Sequence, residues 1–205
     1  VAIVVLLPVQ ISKLSDLLSM KSPYRASFVP SKKKSHIMVC GFVNNKEKLE
    51  NLYRELFNEG RCSDFGPDFQ VLILGKEEPK EDVINFLISK TVDGRMVYRV
   101  GDVMSSDDMQ RLSCEMAMAV FFLCNPSLTG KRALHADIEV VLNTIAVESI
   151  NGEIETLSQM ILHENRDLIF DTDVDVILTF QDYKATLMAR NSMCPGMATM
   201  LEGMI

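Results

Sequence analysis

The chain has too little positive charge for a typical nucleic-acid-binding protein. It carries 21 Lys and Arg residues against 28 Asp and Glu residues, which gives a formal net charge of −7 over 205 residues. Binding to a phosphate backbone depends on clustered cations. The basic run Lys32 to Lys34 lies between serines and predicts a solvated linker, with contact to lipid headgroups as the alternative. We therefore expect no nucleic-acid partner.

Cysteine and histidine are too sparse and too scattered for a disulfide framework or a zinc site. The five cysteines are an odd number and include no C-x-x-C pair. Several stand in apolar runs, so we expect buried free thiols in a reducing compartment. The three histidines, His36, His135 and His163, are far apart in the sequence. None stands at helical spacing from another metal-binding residue type.

The apolar run at residues 1–9 (VAIVVLLPV) is too short to cross a bilayer. A membrane-spanning helix needs roughly 20 apolar residues. The run also lacks the basic residues that open a signal peptide. Because it has no initiator Met, we expect the chain to start within a longer protein. The run is then either a core strand or the cytosolic end of a membrane helix.

Motifs of several enzyme classes are missing. The sequence has no P-loop, no G-x-S-x-G elbow and no H-E-x-x-H. A dinucleotide-binding turn would read G-x-G-x-x-G after the first strand, but only Gly41 is present, followed by Phe42 and Asn44. Glu77 could mimic a ribose-binding acid, although its charged loop favours simple solvation. We expect no enzyme and no bound nucleotide, and the alternative is an NAD(P)-binding oxidoreductase-like domain.

Strand-like and helix-like patterns alternate through the middle of the chain. Short apolar runs predict buried strands, and stripes of apolar residues at helical spacing predict helices. Strands are predicted at 36–43, 69–75, 95–100, 119–124, 154–162 and 174–178, and helices at 46–59, 81–89, 105–117 and 131–150. The helix over 131–150 is predicted to be amphipathic. The alternation predicts an α/β fold with a Rossmann-like, doubly wound, mainly parallel sheet.

Three segments are expected along the chain. Residues 1–35 form an N-terminal segment, with a helix at 10–21 and a Pro- and Ser-rich linker after it. Residues 36–177 form the Rossmann-like domain. Residues 178–205 form two helices broken at residues 194–196, rich in Met, which suits adaptable interfaces. We expect this helix-turn-helix to contact another subunit or domain. The expected contact residues are Tyr183, Leu187, Met188, Met193, Met197 and Met200.

Acidic residues in three groups are candidates for binding a hard cation such as Ca²⁺. The groups are Asp102, Asp107 and Asp108 after the third strand, Asp137 and Glu139 in the long helix, and Asp171, Asp173 and Asp175, which alternate in DTDVD. Alternation in a strand would place the last three on one face. The alternative is that these carboxylates are simply hydrated.

Several stretches together resemble a known family. They are SHIMVCGFV, VLILG, VYRVGDVMSSDDMQRL, AVFFLCN, ADIEVVLNTIAVESI and YKATLMARNSMCPGMATML. These are similar to the first RCK domain (regulator of potassium conductance) of the Slo family of large-conductance, ion-activated potassium channels. The leading VAIVVLLPVQISKL looks like the segment that joins the last pore-lining helix to that domain.

The resemblance implies a role in channel gating. Four subunits, each with two RCK domains, would form a cytosolic gating ring attached to the membrane through the pore segment. The helix-turn-helix would pair the two RCK domains. Ion binding would expand the ring and pull on residues 10–35, which would open the pore. A nucleotide-sensing subunit of a prokaryotic-type potassium transporter is a further alternative.

The resemblance also implies a candidate ion ligand. In the calcium-activated branch of the family, an aspartate early in the helix after the fourth strand contributes to a calcium site, and Asp137 aligns with it. Residues 130–132 provide no companion aspartate, and the other ligands of that branch lie beyond Ile205. The expected ion is Ca²⁺, with Na⁺ or Mg²⁺ as alternatives.

Overall fold

A computed structural model describes residues 22–30, 36–58, 69–168, 174–194 and 196. The strands are β1 (His36–Gly41), β2 (Gln70–Gly75), β3 (Met96–Val100), β4 (Ala119–Leu123), β5 (Glu155–Met160) and β6 (Val176–Thr179). The helices are α1 (Lys46–Leu56), α2 (Glu81–Ile88), α3 (Ser106–Arg111), α4 (Lys131–Ile150) and α5 (Phe180–Met193). Short 3₁₀ turns lie at Pro23–Arg25, Cys114–Met116 and His163–Leu168.

The six strands form one parallel sheet in the order β3-β2-β1-β4-β5-β6. This is the order of a doubly wound fold, in which the chain returns to the centre and then builds the sheet in the other direction. The predicted α/β class with a Rossmann-like sheet is therefore confirmed. None of the described helices is both long and apolar enough to cross a membrane.

The central strand β1 explains why the sheet needs helices on both faces. It lies between β2 and β4, and its residues from His36 to Cys40 are all buried. Alternate side chains enter two separate cores, as strand geometry requires. Met38 belongs to the core that contains Val140 of α4, whereas Ile37 belongs to the core that contains Leu49 of α1.

The thiols follow the expected pattern only in part. Cys40, Cys114 and Cys124 are free and buried, but Cys194 is free and exposed after α5. Burial raises the pKa of Cys114 to about 11 and that of Cys124 to about 12. These two thiols are therefore protonated and unreactive near neutral pH. Cys62 lies outside the described residues.

The helix predicted at 105–117 is shorter than expected. It ends at Arg111, and a separate 3₁₀ turn follows. Ser113 causes the break because its backbone is left-handed, with a φ of 55°, which a right-handed helix does not accommodate. The Ser113 hydroxyl also donates to the carbonyl of Phe28 at 3.0 Å.

Residues 22–30 lie against the domain, although the sequence predicted a linker there. Phe28 is only 5% exposed, and its ring packs 5.2 Å from the His36 ring. The ring of Tyr24 meets the ring of Tyr98 edge-on at 6.1 Å. Aromatic packing therefore joins this segment to the start of β1 and to β3. The helix predicted at 10–21 and the basic run Lys32 to Lys34 lie outside the described residues.

His36 should make the stability of the fold depend on pH. Burial lowers the pKa of His36 from 6.5, and the nearby Ser113 backbone offsets this only in part. Among the described residues, neither ring nitrogen completes a hydrogen bond. Below about pH 6.5, His36 therefore binds a proton more readily in the unfolded state than in the folded state. We expect the free energy of unfolding to fall as the pH drops below that value, by up to about 1.4 kcal/mol per pH unit.

Urea unfolding between pH 7.5 and pH 5.0 measures this effect. In His36→Gln, the free energy of unfolding should fall less at low pH than in the wild type. His135→Gln, which changes an exposed histidine on α4, should show the same fall as the wild type. Equal pH dependence in the wild type and in His36→Gln would contradict the assignment.

Candidate functional site

The turn after β1 uses its single glycine to bring two strands together. Gly41 has a φ of +96°, and a Cβ built there would lie 2.3 Å from the Leu123 carbonyl oxygen. The amide of Phe42 donates to that same oxygen at 2.8 Å. Only glycine permits this approach of β1 to β4. The glycine thus serves the contact between two strands of the sheet.

A cavity of about 390 Å³ lies at the carboxyl edge of the sheet, where the strand order reverses. This is where doubly wound folds usually bind ligands. Its lining includes an ion pair between Lys76 and Glu139, whose nitrogen and oxygen are 2.5 Å apart. The hydrogen bond with Glu139 raises the pKa of Lys76, so Lys76 is charged at neutral pH.

Side chains of the chain itself occupy much of the turn region. Lys48 lies over the Phe42 ring, 4.3 Å from its centroid, and its Nζ donates to the Cys124 carbonyl at 3.3 Å. Asn44 joins two loops: its Nδ2 donates to the Glu78 carbonyl at 3.1 Å, and its Oδ1 accepts from the Lys80 amide at 3.0 Å. The polar side chain of Asn44 therefore connects the first turn to the loop that follows β2 by hydrogen bonds.

Tyr98 fills the region beside the end of β2. Its hydroxyl donates to the Glu77 carbonyl at 2.9 Å, and a Cβ on Gly75 would lie 1.9 Å from the hydroxyl oxygen. Burial, followed by the charge of Glu77, raises the pKa of Tyr98 to about 12, so the hydroxyl stays a donor. A tyrosine thus occupies the space above β2, which the sequence analysis did not foresee.

Asp137 is fully buried on α4 and makes three hydrogen bonds. Its Oδ1 accepts from the Ile161 amide at 2.8 Å. Its Oδ2 accepts from the Leu162 amide at 3.0 Å and from Nδ2 of Asn165 at 2.8 Å. The carboxylate thereby anchors α4 to the chain that leaves β5. These contacts are those of a structural anion, and a metal role for Asp137 stays a prediction.

The other acidic candidates are dispersed. Asp102 accepts from the Met104 amide at 3.1 Å. Asp175 precedes β6, and its Oδ2 accepts from the Thr156 amide at 2.8 Å, so its expected position within a strand is wrong. Within the described ranges, no three His, Cys, Asp or Glu side chains form a group that could hold a metal ion. The remaining candidates of that alternating run, Asp171 and Asp173, lie outside the described residues.

The predicted contact residues lie on or beyond α5. Tyr183, Met188 and Met193 are exposed, Met193 by 83%, and Leu187 is half-buried. Their exposure leaves them free to contact another protein surface, and their interface role stays a prediction. Met197 and Met200 lie outside the described residues.

The structure also has an apolar surface that the sequence analysis missed. The long helix α4 buries one face, including Val140 and Val147, but large aliphatic side chains also lie exposed on another face. These exposed residues are Leu134, Ile138, Leu142 and Ile145. They follow one another at spacings of three and four residues, so they share one stripe of the helix. The prediction of a simple amphipathic helix is therefore wrong. We call these four residues the α4 stripe.

Comparison with known protein families identifies the domain. The family model for the calcium-activated potassium channel slowpoke-like RCK domain matches residues 32–169, which is more than half of the chain. The chain belongs to the slowpoke-like RCK family. The resemblance found in the sequence is therefore confirmed, and the matched range of the RCK domain includes all strands of the sheet from β1 to β5.

Relatives of the RCK domain are much longer than this chain. It is 22% identical over 200 residues to potassium channel subfamily U member 1 of Macaca fascicularis and 20% identical over 200 residues to calcium-activated potassium channel slo-1 of Caenorhabditis elegans. Each match covers 95% of this chain and 17% of the relative. The structure of the human SLO3 gating ring matches with a TM-score of 0.59 and 18% identity, over 80% of this chain and 27% of that one. At this identity the structural likeness shows the fold.

Removing the charge of Asp137 should destabilise the RCK domain even without metal. In Asp137→Asn, the amide NH₂ would face one of the backbone N–H groups that now donate to the carboxylate. We expect the free energy of unfolding to fall by about 2–3 kcal/mol in buffer with a chelator. Chemical denaturation measures this loss. Asp107→Asn changes an exposed side chain of α3, is the control and should change stability by less than about 1 kcal/mol. Equal effects of the two substitutions would contradict the anchoring role.

Proposed function

We propose that this RCK domain is a cytosolic gating-ring domain of an ion-activated potassium channel and couples ion binding to pore opening. The observation that carries the proposal is the slowpoke-like RCK match over residues 32–169. The named relatives are potassium channels, and the human structure with the same fold is a gating ring. In such a channel the RCK domain lies on the cytoplasmic side and joins the membrane through a pore segment.

The carboxyl edge of the sheet supports a regulatory role over an enzymatic one. Its first turn has one glycine, which the contact with β4 requires. Lys48, Phe42 and Tyr98 occupy the space around that turn and beside β2. A fold by itself does not decide activity, so the proposal rests on these side chains and on the family. We propose no catalytic residue and no nucleotide cofactor.

Calcium is the ion that we propose, with Na⁺ or Mg²⁺ as alternatives. Asp137 is the candidate ligand within this chain. A carboxylate oxygen has two acceptor positions, and Oδ1 of Asp137 uses one of them for the Ile161 amide. One position therefore remains, whereas Oδ2 already accepts two hydrogen bonds. A complete site would need ligands from outside the described residues, because Ca²⁺ takes six to eight oxygen atoms.

Assembly into a ring would use the exposed apolar surfaces. The α4 stripe and the exposed Met188 of α5 present large apolar side chains to solvent. Burying one such side chain fully contributes roughly 1.5–3 kcal/mol. We propose that these surfaces contact other RCK domains in a homotetrameric channel, including a second RCK domain of the same subunit.

Recording from the full-length channel tests the proposed function. Potassium currents in membrane patches should rise when Ca²⁺ is added to the cytosolic side. Currents that rise with Na⁺ or Mg²⁺ alone would select one of those ions instead. If no ion changes the current and the protein instead transfers hydride from NADH, the oxidoreductase alternative is correct and the proposal is wrong.

Charged substitutions in the two apolar surfaces should weaken assembly. Ile138→Asp in the α4 stripe and Met188→Asp in α5 would each place a carboxylate in a contact that excludes water, which is costly for an unpaired charge. Analytical sedimentation should show a smaller average mass for each variant. Gln110→Asp adds the same charge at an exposed position of α3 and should leave the mass unchanged. If Ile138→Asp and Met188→Asp both sediment like the wild type, these surfaces are not the contacts.

A further inference from the structure

Arg111, the last residue of α3, uses all of its side-chain hydrogen-bond donors within the protein. A guanidinium has five N–H groups. Nη1 donates to the carbonyls of Arg25 at 2.8 Å and Ala26 at 3.0 Å. Nη2 donates to the Val100 carbonyl at 2.8 Å and to Oδ1 of Asp108 at 2.7 Å. Nε donates to the same Asp108 oxygen at 3.3 Å. One side chain thus joins residues 22–30, the end of β3 and α3.

Asp108 supplies the negative charge that pairs with the guanidinium of Arg111. Oδ2 of Asp108 accepts from the Asp102 amide at 2.9 Å. Burial raises the pKa of Asp108, but Arg111, the Asp102 amide and the charge of Arg25 outweigh burial and hold that pKa below its usual value. Asp108 is therefore ionised at neutral pH and pairs with Arg111. Because the guanidinium has no donor left for a ligand, its role is to hold the chain in place.

Backbone contacts hold the same segment from the other side. The Phe28 amide donates to the Arg111 carbonyl at 3.0 Å, and the Phe28 carbonyl accepts from the Ser113 hydroxyl at 3.0 Å. The Phe28 ring is itself buried in the core that contains Met109 of α3. Residues 25–28 are therefore held by the side chain and the backbone of Arg111 and by the hydroxyl of Ser113. We call this set of contacts the Arg111 clasp.

We propose that the Arg111 clasp makes residues 22–30 part of the rigid RCK domain, so that movement of the domain passes to the chain that precedes Ser22. This inference rests on the proposed gating function. The family resemblance implies a mechanical tether at residues 10–35. With the clasp closed, the tether ends before Ser22. With the clasp open, the 14 residues from 22 to 35 would add about 45–50 Å of extended chain. That slack would absorb movement of the domain.

Trypsin cleavage after Arg25 reports directly on the clasp. The carbonyl of the bond to be cut is the one that Arg111 holds, and the Arg25 residue itself is exposed. In the full-length protein, Arg111→Gln should raise the cleavage rate after Arg25 by about tenfold, because cleavage requires local opening. Mass spectrometry of the fragments gives the rate. Arg54→Gln removes an exposed arginine of α1 and is the matched control, with an unchanged rate.

A second variant covers the case in which Arg111→Gln does not fold. Ser113→Gly removes only the hydroxyl bond to Phe28 and suits the left-handed backbone at that position. It should raise the cleavage rate after Arg25 by a smaller factor than Arg111→Gln. Cleavage at the wild-type rate in both variants would overturn the clasp.

Channel recording then tests whether movement of the domain passes through the Arg111 clasp to the chain that precedes Ser22. Raising cytosolic Ca²⁺ should shift the voltage of half-activation at least twofold less in Arg111→Gln than in the wild type, with unchanged single-channel conductance. Arg54→Gln should match the wild type. If Arg111→Gln is cleaved faster but its voltage of half-activation shifts with Ca²⁺ as much as in the wild type, movement does not pass through the clasp. A wild-type channel that ignores every ion tested would overturn the proposed function and transmission together, whereas the cleavage rates separately decide whether the clasp exists.

Discussion

The position of the chain that enters this domain depends on one guanidinium. Arg111 joins the distant residues 22–30 and the end of β3 to its own helix α3, where it pairs with Asp108. Every donor is used and the charge is paired, so the contact is more specific than a typical surface ion pair. Phe28 adds burial to the same contact. The entering chain and the sheet therefore form one body, as the proposed coupling of this domain to a pore requires.

At the carboxyl edge of the sheet, the proposed regulatory role rests on the side chains and not on the fold. The strand order is that of dinucleotide-binding proteins. However, the only glycine of the first turn is needed for the contact with β4, and Lys48, Phe42 and Tyr98 lie around the turn and beside β2. Asp137 anchors α4 from within the fold. That anchoring positions the exposed α4 stripe, which we propose as an assembly surface.

Local periodicity in the sequence predicted the strands and the parallel sheet, because apolar runs and turn residues act over a few neighbours. It did not predict that the carboxylate of Asp137 bonds to amides of residues 161 and 162. Nor did it predict that Arg111 bonds to carbonyls of residues 25 and 26. Such contacts join distant positions and leave no periodic signal. The α4 stripe does have a periodic signal at spacings of three and four, but it runs beside the apolar face that α4 buries, and periodicity alone does not separate the two faces.

Hydrogen exchange at the Phe28 amide tests the central claim most directly. In the wild-type protein this amide donates to the Arg111 carbonyl, so its exchange requires the segment to leave the domain. If residues 22–30 belong to the rigid body, the Phe28 amide should exchange as slowly as amides of the neighbouring sheet, such as that of Met38 in β1. Exchange at the rate of an unprotected peptide would show that the segment is detached and would contradict the account.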